Sequence, residues 1–132
     1  PIRSVTEGKE IVLTDDSIVR STTSRFIVNL LKTVGGARRV HLRISCPPII
    51  SSCYMGIDFP TRRELIASTK TVEEIRRIVG ADTLGYMNID GLVRSIGLPH
   101  NQLCMACLTG EYPLNAPPQL ELLEATLGTR ME

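Results

Sequence analysis

The amino-acid sequence predicts an α/β fold: a parallel βαβ unit followed by a mostly helical C-terminal segment. Residues 11–13 form an apolar run typical of a parallel strand with both faces covered. Apolar residues at helical spacing follow. Val40, Leu42 and Ile44 then alternate with polar residues, as in a second strand. A strand, a helix and a strand in this length are expected to pair in parallel, with a right-handed connection.

The helix predicted between the two strands should bury one apolar face. Thr22 or Thr23 can cap its start, and Gly35 and Gly36 can end it. The apolar residues expected on the buried face are Phe26, Ile27, Leu30, Leu31 and Val34.

Beyond the second strand, the sequence is expected to be helical. Residues 61–64 and 71–74 both match the Thr-x-x-Glu pattern of a capping box, and the second should begin a helix that Gly80 closes. Asp90 is expected to cap a further short helix that ends at Gly97.

The chain therefore divides into three predicted parts. Residues 1–50 form the βαβ unit, residues 51–113 a helical segment, and residues 114–132 a tail. Within and next to the tail, residues 113–118 are expected to form a loop and residues 120–127 a short helix.

Composition narrows the class of protein. The 132-residue chain is 42% hydrophobic, enough for a globular core, and its net charge of +1 argues against a general nucleic-acid binder. No apolar run approaches the roughly 20 residues that span a bilayer, and no signal peptide is evident, so a cytoplasmic location is expected. There the four cysteines should be metal-binding, reactive or buried rather than disulfide-paired.

The loop after the first strand carries the clearest chemistry. Asp15 and Asp16 end the strand, and a hydroxyl-rich turn over residues 21–24 then opens the helix. A helix N-terminus with hydroxyl donors and the Arg20 charge suits a phosphate, whereas the acids suit vicinal sugar hydroxyls or Mg²⁺. The alternative is an ordinary βα turn, since Asp, Ser and Thr are also common caps.

Cys104 and Cys107 form a CxxC pair, with Cys46 and Cys53 far upstream. On spacing alone, three interpretations stay open: a zinc site, a redox dithiol, or buried free cysteines.

The loop resembles the motif of type I phosphoribosyltransferases, and its Asp-Asp-Ser-Ile-Val-Arg-x-Thr-Thr-Ser form resembles the glutamine amidophosphoribosyltransferase family. The resemblance implies that Asp15 and Asp16 contact the ribose hydroxyls and Mg²⁺, and it assigns no catalytic residue. Ser21 stands where the family usually has glycine. The residues implied to hold the 5′-phosphate are Ser17, Arg20, Ser21, Thr22, Thr23 and Ser24.

The segments around the cysteines resemble the branch of this family that carries an iron–sulfur cluster. By that resemblance, Cys53, Cys104 and Cys107 match three thiolate ligands of a structural 4Fe–4S cluster. The same resemblance implies that the fourth ligand comes from upstream sequence. Cys46 matches no ligand position of the family, and its use as a substitute ligand in this chain is the alternative.

The resemblance also implies a function. The family's enzyme hydrolyses glutamine and transfers the ammonia to phosphoribosyl pyrophosphate in purine biosynthesis. We expect this chain to be the C-terminal part of its phosphoribosyltransferase domain and to be inactive alone. Its partners are expected to be the upstream half, with the glutaminase domain, and further copies in a homo-oligomer. Two alternatives are a non-catalytic phosphoribosyl- or nucleotide-binding regulatory module and a cysteine–metal interaction domain.

Overall fold

The computed structural model describes residues 1–57 and 61–113 and confirms an α/β fold with a parallel sheet. Three strands lie in the order β1–β2–β3, and both pairings are parallel. The strands are β1 (Glu10–Asp15), β2 (Arg39–Ile44) and β3 (Thr83–Tyr86).

Five α-helices and three 3-10 turns connect and flank these strands in the part of the chain that the structure describes. None of those helices is long and apolar enough to cross a membrane. The predicted helix over residues 120–127, and the predicted loop beyond residue 113, lie outside the described residues. The helices are α1 (Arg3–Thr6), α2 (Thr22–Thr33), α3 (Val72–Val79), α4 (Ile89–Ile96) and α5 (Ala106–Thr109). The 3-10 turns are Arg62–Glu64, Ile66–Ser68 and His100–Gln102.

The core forms where helices α2 and α3 pack against one face of the sheet. The predicted alternation of β2 is confirmed, because Val40, Leu42 and Ile44 are almost fully buried. Val28 of α2 and Ile75 of α3 pack in the same cluster. Strand β2 thus lies at the centre of the described sheet and holds both neighbours in register.

The expectation that β1 is covered on both faces is wrong for the described residues. Ile11 and Leu13 pack against the core, but Val12 between them is 66% exposed. On the strand beside it, Val12 is paired in register with the polar His41. A continuous apolar run of three residues was therefore not enough to predict that both faces of this strand are buried.

The face that α2 buries agrees with the predicted one only in part, because Ile27, Leu30 and Leu31 are partly buried. Phe26 and Val34 are 64% and 54% exposed, whereas Val28 is 1% exposed and Ser24 is also buried. Apolar residues occur around much of this helix, so their spacing could not identify which of its faces packs against the sheet. The helix also starts one or two residues earlier than predicted, with Ser21 in the cap position instead of Thr22 or Thr23.

Strand β3 was not predicted, and it adds a parallel strand to a segment expected to be helical. It has only four residues, and one of them is Gly85, so it offers no clear alternation. The helix after it is capped by Asn88 instead of Asp90: the Asn88 Oδ1 accepts a hydrogen bond from the Gly91 N–H at 2.6 Å. The predicted end of that helix at Gly97 is confirmed.

Of the two Thr-x-x-Glu sequences, only the second forms a capping box. Thr71 Oγ1 accepts from the Glu74 N–H at 3.3 Å, and a Glu74 carboxylate oxygen accepts from the Thr71 N–H at 2.8 Å. Thr61 precedes a single 3-10 turn, and its side chain accepts no capping hydrogen bond from the backbone. Its hydroxyl instead donates to the Glu64 carboxylate, which also contacts Arg20.

Replacing Thr71 should therefore destabilise the protein more than replacing Thr61. We expect Thr71→Ala to lower the free energy of unfolding by about 1 kcal/mol, because the first turn of α3 loses its N-cap. Urea unfolding followed by circular dichroism measures the change. Thr61→Ala is the matched control, since its sequence context is the same and its cap bond is absent. Equal losses in the two variants would contradict the assignment of the box.

Candidate functional site

The predicted binding loop lies at the carboxyl end of β1 and lines an open cavity of about 500 Å³. All eight residues predicted to bind the phosphoribosyl ligand border this one cavity, together with Ile18 and Val19. The structure thus brings the predicted set together, and the role of each side chain stays a prediction.

The two acids are held by local hydrogen bonds that leave their charge uncompensated. Asp15 Oδ1 accepts from the Asp16 N–H at 3.0 Å, and Asp16 Oδ1 accepts from the Ser17 hydroxyl at 3.1 Å. Among residues 1–57 and 61–113, neither carboxylate forms an ion pair. Both are therefore available to accept from sugar hydroxyls or to bind a divalent cation.

Backbone hydrogen bonds past the end of β2 fix the position of these acids. The Ser45 N–H and hydroxyl both donate to the Asp15 carbonyl, at 3.0 and 3.1 Å. The Cys46 N–H donates to the Asp16 carbonyl at 3.0 Å. The β1–β2 ladder thus continues beyond the strands and immobilises the backbone that carries both carboxylates.

Ser21 has a left-handed backbone at the point where the loop turns into α2. Its φ of 67° is the only positive φ of a non-glycine residue in the described chain, and its side chain is largely buried. Such a conformation costs an L-residue about 1 kcal/mol or more, whereas glycine adopts it freely. The loop therefore requires the geometry of the glycine that the related motif usually has at this position.

The start of α2 presents unpaired backbone donors beside the cavity. The Arg25 N–H donates to the Ser21 carbonyl at 2.9 Å, as in the first turn of a helix. The N–H groups of Thr22, Thr23 and Ser24 precede it and have no acceptor within the helix. Together with the positive end of the helix dipole, they form the setting in which proteins bind phosphate.

Glu64 is a neighbour of the loop that the sequence did not reveal. Its Oε2 lies 2.6 Å from Nη2 of Arg20. Two residues further on, the Ile66 N–H donates to the Val19 carbonyl at 2.9 Å. The Thr-x-x-Glu pattern pointed to a helix cap, so the contact of Glu64 with the loop could not be read from the sequence.

The cysteine-bearing segments meet on the far side of residues 45–52. The N–H groups of Ile50 and Ser51 donate to the Cys107 carbonyl, at 2.9 and 3.1 Å. The Tyr112 hydroxyl donates to the Ser52 carbonyl at 2.7 Å. These bonds hold the CxxC segment against the chain that leads to Cys53.

The thiols of this region influence one another electrostatically. Burial raises the pKa of Cys107, and the neighbouring Cys53 and Cys104 thiols raise it further. As placed, no three His, Cys, Asp or Glu side chains among the described residues form a group that could hold a single metal ion. A polynuclear cluster binds each thiolate to a different iron, so its ligands need not converge on one point.

The fold and the loop together define a class, the phosphoribosyltransferases. No family model matches the chain. It is 55% identical over 125 residues to the amidophosphoribosyltransferase of Methanothermobacter thermautotrophicus, and 51% identical over 116 residues to that of Bacillus subtilis. The matches cover 95% and 85% of this chain, but 26% and 24% of those relatives.

Two solved structures agree with these sequence relatives. One, described as the allosteric regulatory enzyme of purine biosynthesis, gives a TM-score of 0.79 at 50% identity. The other, the glutamine phosphoribosylpyrophosphate amidotransferase of B. subtilis complexed with ADP and GMP, gives 0.78 at 51% identity. Each match covers 85% of this chain and 25% of the solved one.

The chain belongs to the amidophosphoribosyltransferase family and corresponds to the C-terminal region of its members. The predicted resemblance to this family is thus confirmed, and the cluster-bearing branch stays a prediction. The chain spans about a quarter of the length of the relatives it matches.

The left-handed backbone of Ser21 gives a direct test of the loop geometry. Ser21→Gly should keep or raise the free energy of unfolding, by up to about 1 kcal/mol, because relief of strain is partly offset by glycine's greater freedom in the unfolded chain. Ser21→Val should lower it, because a β-branched residue is strongly disfavoured at positive φ. Urea unfolding of the three proteins measures both changes. A stabilised valine variant would show that Ser21 does not have this backbone conformation.

Proposed function

We propose that this chain supplies the phosphoribosyl-binding part of an amidophosphoribosyltransferase. The whole enzyme transfers glutamine-derived ammonia to phosphoribosyl pyrophosphate and forms 5-phosphoribosylamine, the first step of de novo purine biosynthesis. The observation that carries the proposal is the loop itself. Two unpaired carboxylates and the open start of α2 lie on one cavity, in a chain about half identical to the relatives of that name.

In this reaction ammonia attacks C1 of the ribose, and the bond from C1 to the pyrophosphate oxygen breaks. The pair of electrons in that bond leaves with pyrophosphate, and the added ammonia then loses a proton. The Asp15 and Asp16 carboxylates are placed to hold the vicinal hydroxyls and offset the positive charge that develops on the ribose. The donors from Ser17 to Ser24 hold the 5′-phosphate, so the loop contributes mainly by positioning the substrate.

The donor set at the loop also fits the proposed magnesium ion. The carboxylates of Asp15 and Asp16 form no ion pair with a basic side chain among the described residues. Mg²⁺ prefers oxygen ligands of this kind. When bound, the ion would neutralise charge on the pyrophosphate group.

A structural 4Fe–4S cluster is the second proposed cofactor. Cys53, Cys104 and Cys107 would hold it, and the backbone bonds from Ile50 and Ser51 to the Cys107 carbonyl keep the CxxC segment close to the chain that leads to Cys53. Its contribution would be to fix the CxxC segment to the chain before it. The proposed partners are the upstream half of the enzyme with its glutaminase domain, and further copies of the chain in a homo-oligomer. The proposed location is the cytoplasm. Some relatives are chloroplastic.

Calorimetry with phosphoribosyl pyrophosphate and Mg²⁺ tests the phosphoribosyl site. We expect Asp15→Asn and Asp16→Asn to weaken binding about 10-fold or more, since each removes a charge-assisted contact. Asp90→Asn, on the exposed first turn of α4, is the control and should bind as the wild type does. Wild-type protein that does not bind, or binding equal in all variants, would refute the proposed function.

Anaerobic purification tests the proposed cluster. The wild-type protein and Cys46→Ser should contain iron and show the visible absorbance of a thiolate–iron cluster. Most of the iron and most of the visible absorbance should be lost in each of Cys53→Ser, Cys104→Ser and Cys107→Ser. A colourless protein with stoichiometric zinc would instead support a cysteine–metal interaction domain, and equal loss in Cys46→Ser would contradict the ligand set.

A further inference from the structure

Arg20 borders two neighbouring depressions of the surface, as Ser21 and Thr22 do. It borders the cavity of the binding loop and also a groove that runs between α2 and α3. Its side chain is 58% exposed, and its Nη2 lies 2.6 Å from Oε2 of Glu64, which is 46% exposed. A guanidinium has several N–H donors, so donors remain for an anionic ligand while this contact is kept.

Glu64 is itself held in place from both sides. On one side, the Thr61 hydroxyl donates to Glu64 Oε1 at 3.3 Å. On the other, Leu65 is fully buried, and the Ile66 N–H donates to the carbonyl of Val19, the residue before Arg20. The carboxylate is therefore attached to a rigid turn that is hydrogen-bonded to the loop it contacts.

We propose that Glu64 is a positioning residue of the phosphoribosyl site, which holds the Arg20 guanidinium ready at the rim of the loop cavity. The inference rests on the proposed function and deepens it. An unrestrained arginine loses rotamer freedom when it binds an anion, which weakens binding. Glu64 restricts the Arg20 side chain before the ligand binds, so Arg20 loses less rotamer freedom on binding.

Two other effects of Glu64 are weaker. An exposed ion pair contributes little to folding stability, so removal of Glu64 should leave the protein folded. The negative charge of Glu64 also opposes a phosphate ligand, but solvent and salt screen it at this exposure. These two considerations set the sign of the expected change: loss of Glu64 weakens ligand binding.

A double-mutant cycle on the 132-residue chain tests this proposal. Calorimetry with phosphoribosyl pyrophosphate and Mg²⁺ is performed on the wild type, Glu64→Ala, Arg20→Ala and the double variant. We expect Glu64→Ala to weaken binding about 3- to 10-fold in the wild-type background and to have no further effect in the Arg20→Ala background. Glu64→Gln keeps an oxygen acceptor for Arg20 and should lose less than Glu64→Ala.

Glu7→Ala is the matched control, because Glu7 forms a comparably exposed ion pair with Arg3 at 2.7 Å, away from the loop. It should bind as the wild type does. Equal loss from Glu64→Ala in both backgrounds would overturn the positioning role, because the effect would not pass through Arg20. Tighter binding by both Glu64 variants would overturn it as well, since charge repulsion would then dominate.

The same measurements separate this inference from the proposed function. Binding by the wild type and its loss in Asp15→Asn would sustain the phosphoribosyl site even if the cycle showed no coupling between Glu64 and Arg20. Absence of wild-type binding would overturn both.

Discussion

The described structure depends on the continuation of the β1–β2 ladder past the ends of the two strands. The Ser45 and Cys46 N–H groups donate to the carbonyls of Asp15 and Asp16. Because the strands are parallel, their carboxyl ends lie at one edge of the sheet, and this edge is where open α/β folds bind ligands. The same segment then continues to Ile50, whose N–H bonds to the CxxC helix. One stretch of backbone therefore fixes both the acids of the loop and the cysteine-bearing region.

The strained turn at Ser21 follows from the anchoring of the chain on either side of it. Ile18 is 2% exposed and Val28 is 1% exposed, and both pack in the core cluster. With those two side chains buried, the loop must reverse direction within a few residues, and Ser21 adopts the left-handed conformation that completes the turn. Burial of the anchors outweighs a local cost of about 1 kcal/mol. Departures from local preference of this kind concentrate at functional sites, where the surrounding structure enforces them.

The sequence predicted the features that arise locally and failed where tertiary contacts decide. The alternation of β2 and the Thr71 capping box were predicted correctly because each is encoded within a few neighbouring residues. The predicted buried face of α2 was wrong in its inclusion of Phe26 and omission of Val28, since both are apolar and only the position of the sheet distinguishes them. Strand β3 was missed because its four residues show no strand pattern of their own, and its extended conformation depends on pairing with β2. The acids and hydroxyls of the loop could be predicted as a candidate site because they are neighbours in the sequence, but the Glu64 contact crosses more than forty residues.

Cys46 lies near both the acids of the loop and the CxxC region, and Tyr86 lies near Cys46. Burial raises the pKa of the Cys46 thiol, and the nearby Cys107 and Asp16 raise it further. Burial, with a smaller effect of Cys46, raises the pKa of Tyr86 to about 12. Both groups therefore stay neutral at neutral pH, and they add no negative charge to that of the loop acids. A cysteine at position 46 is thus tolerated beside Asp16 because its surroundings keep it protonated, and the loop acids remain free to attract a cation of their own.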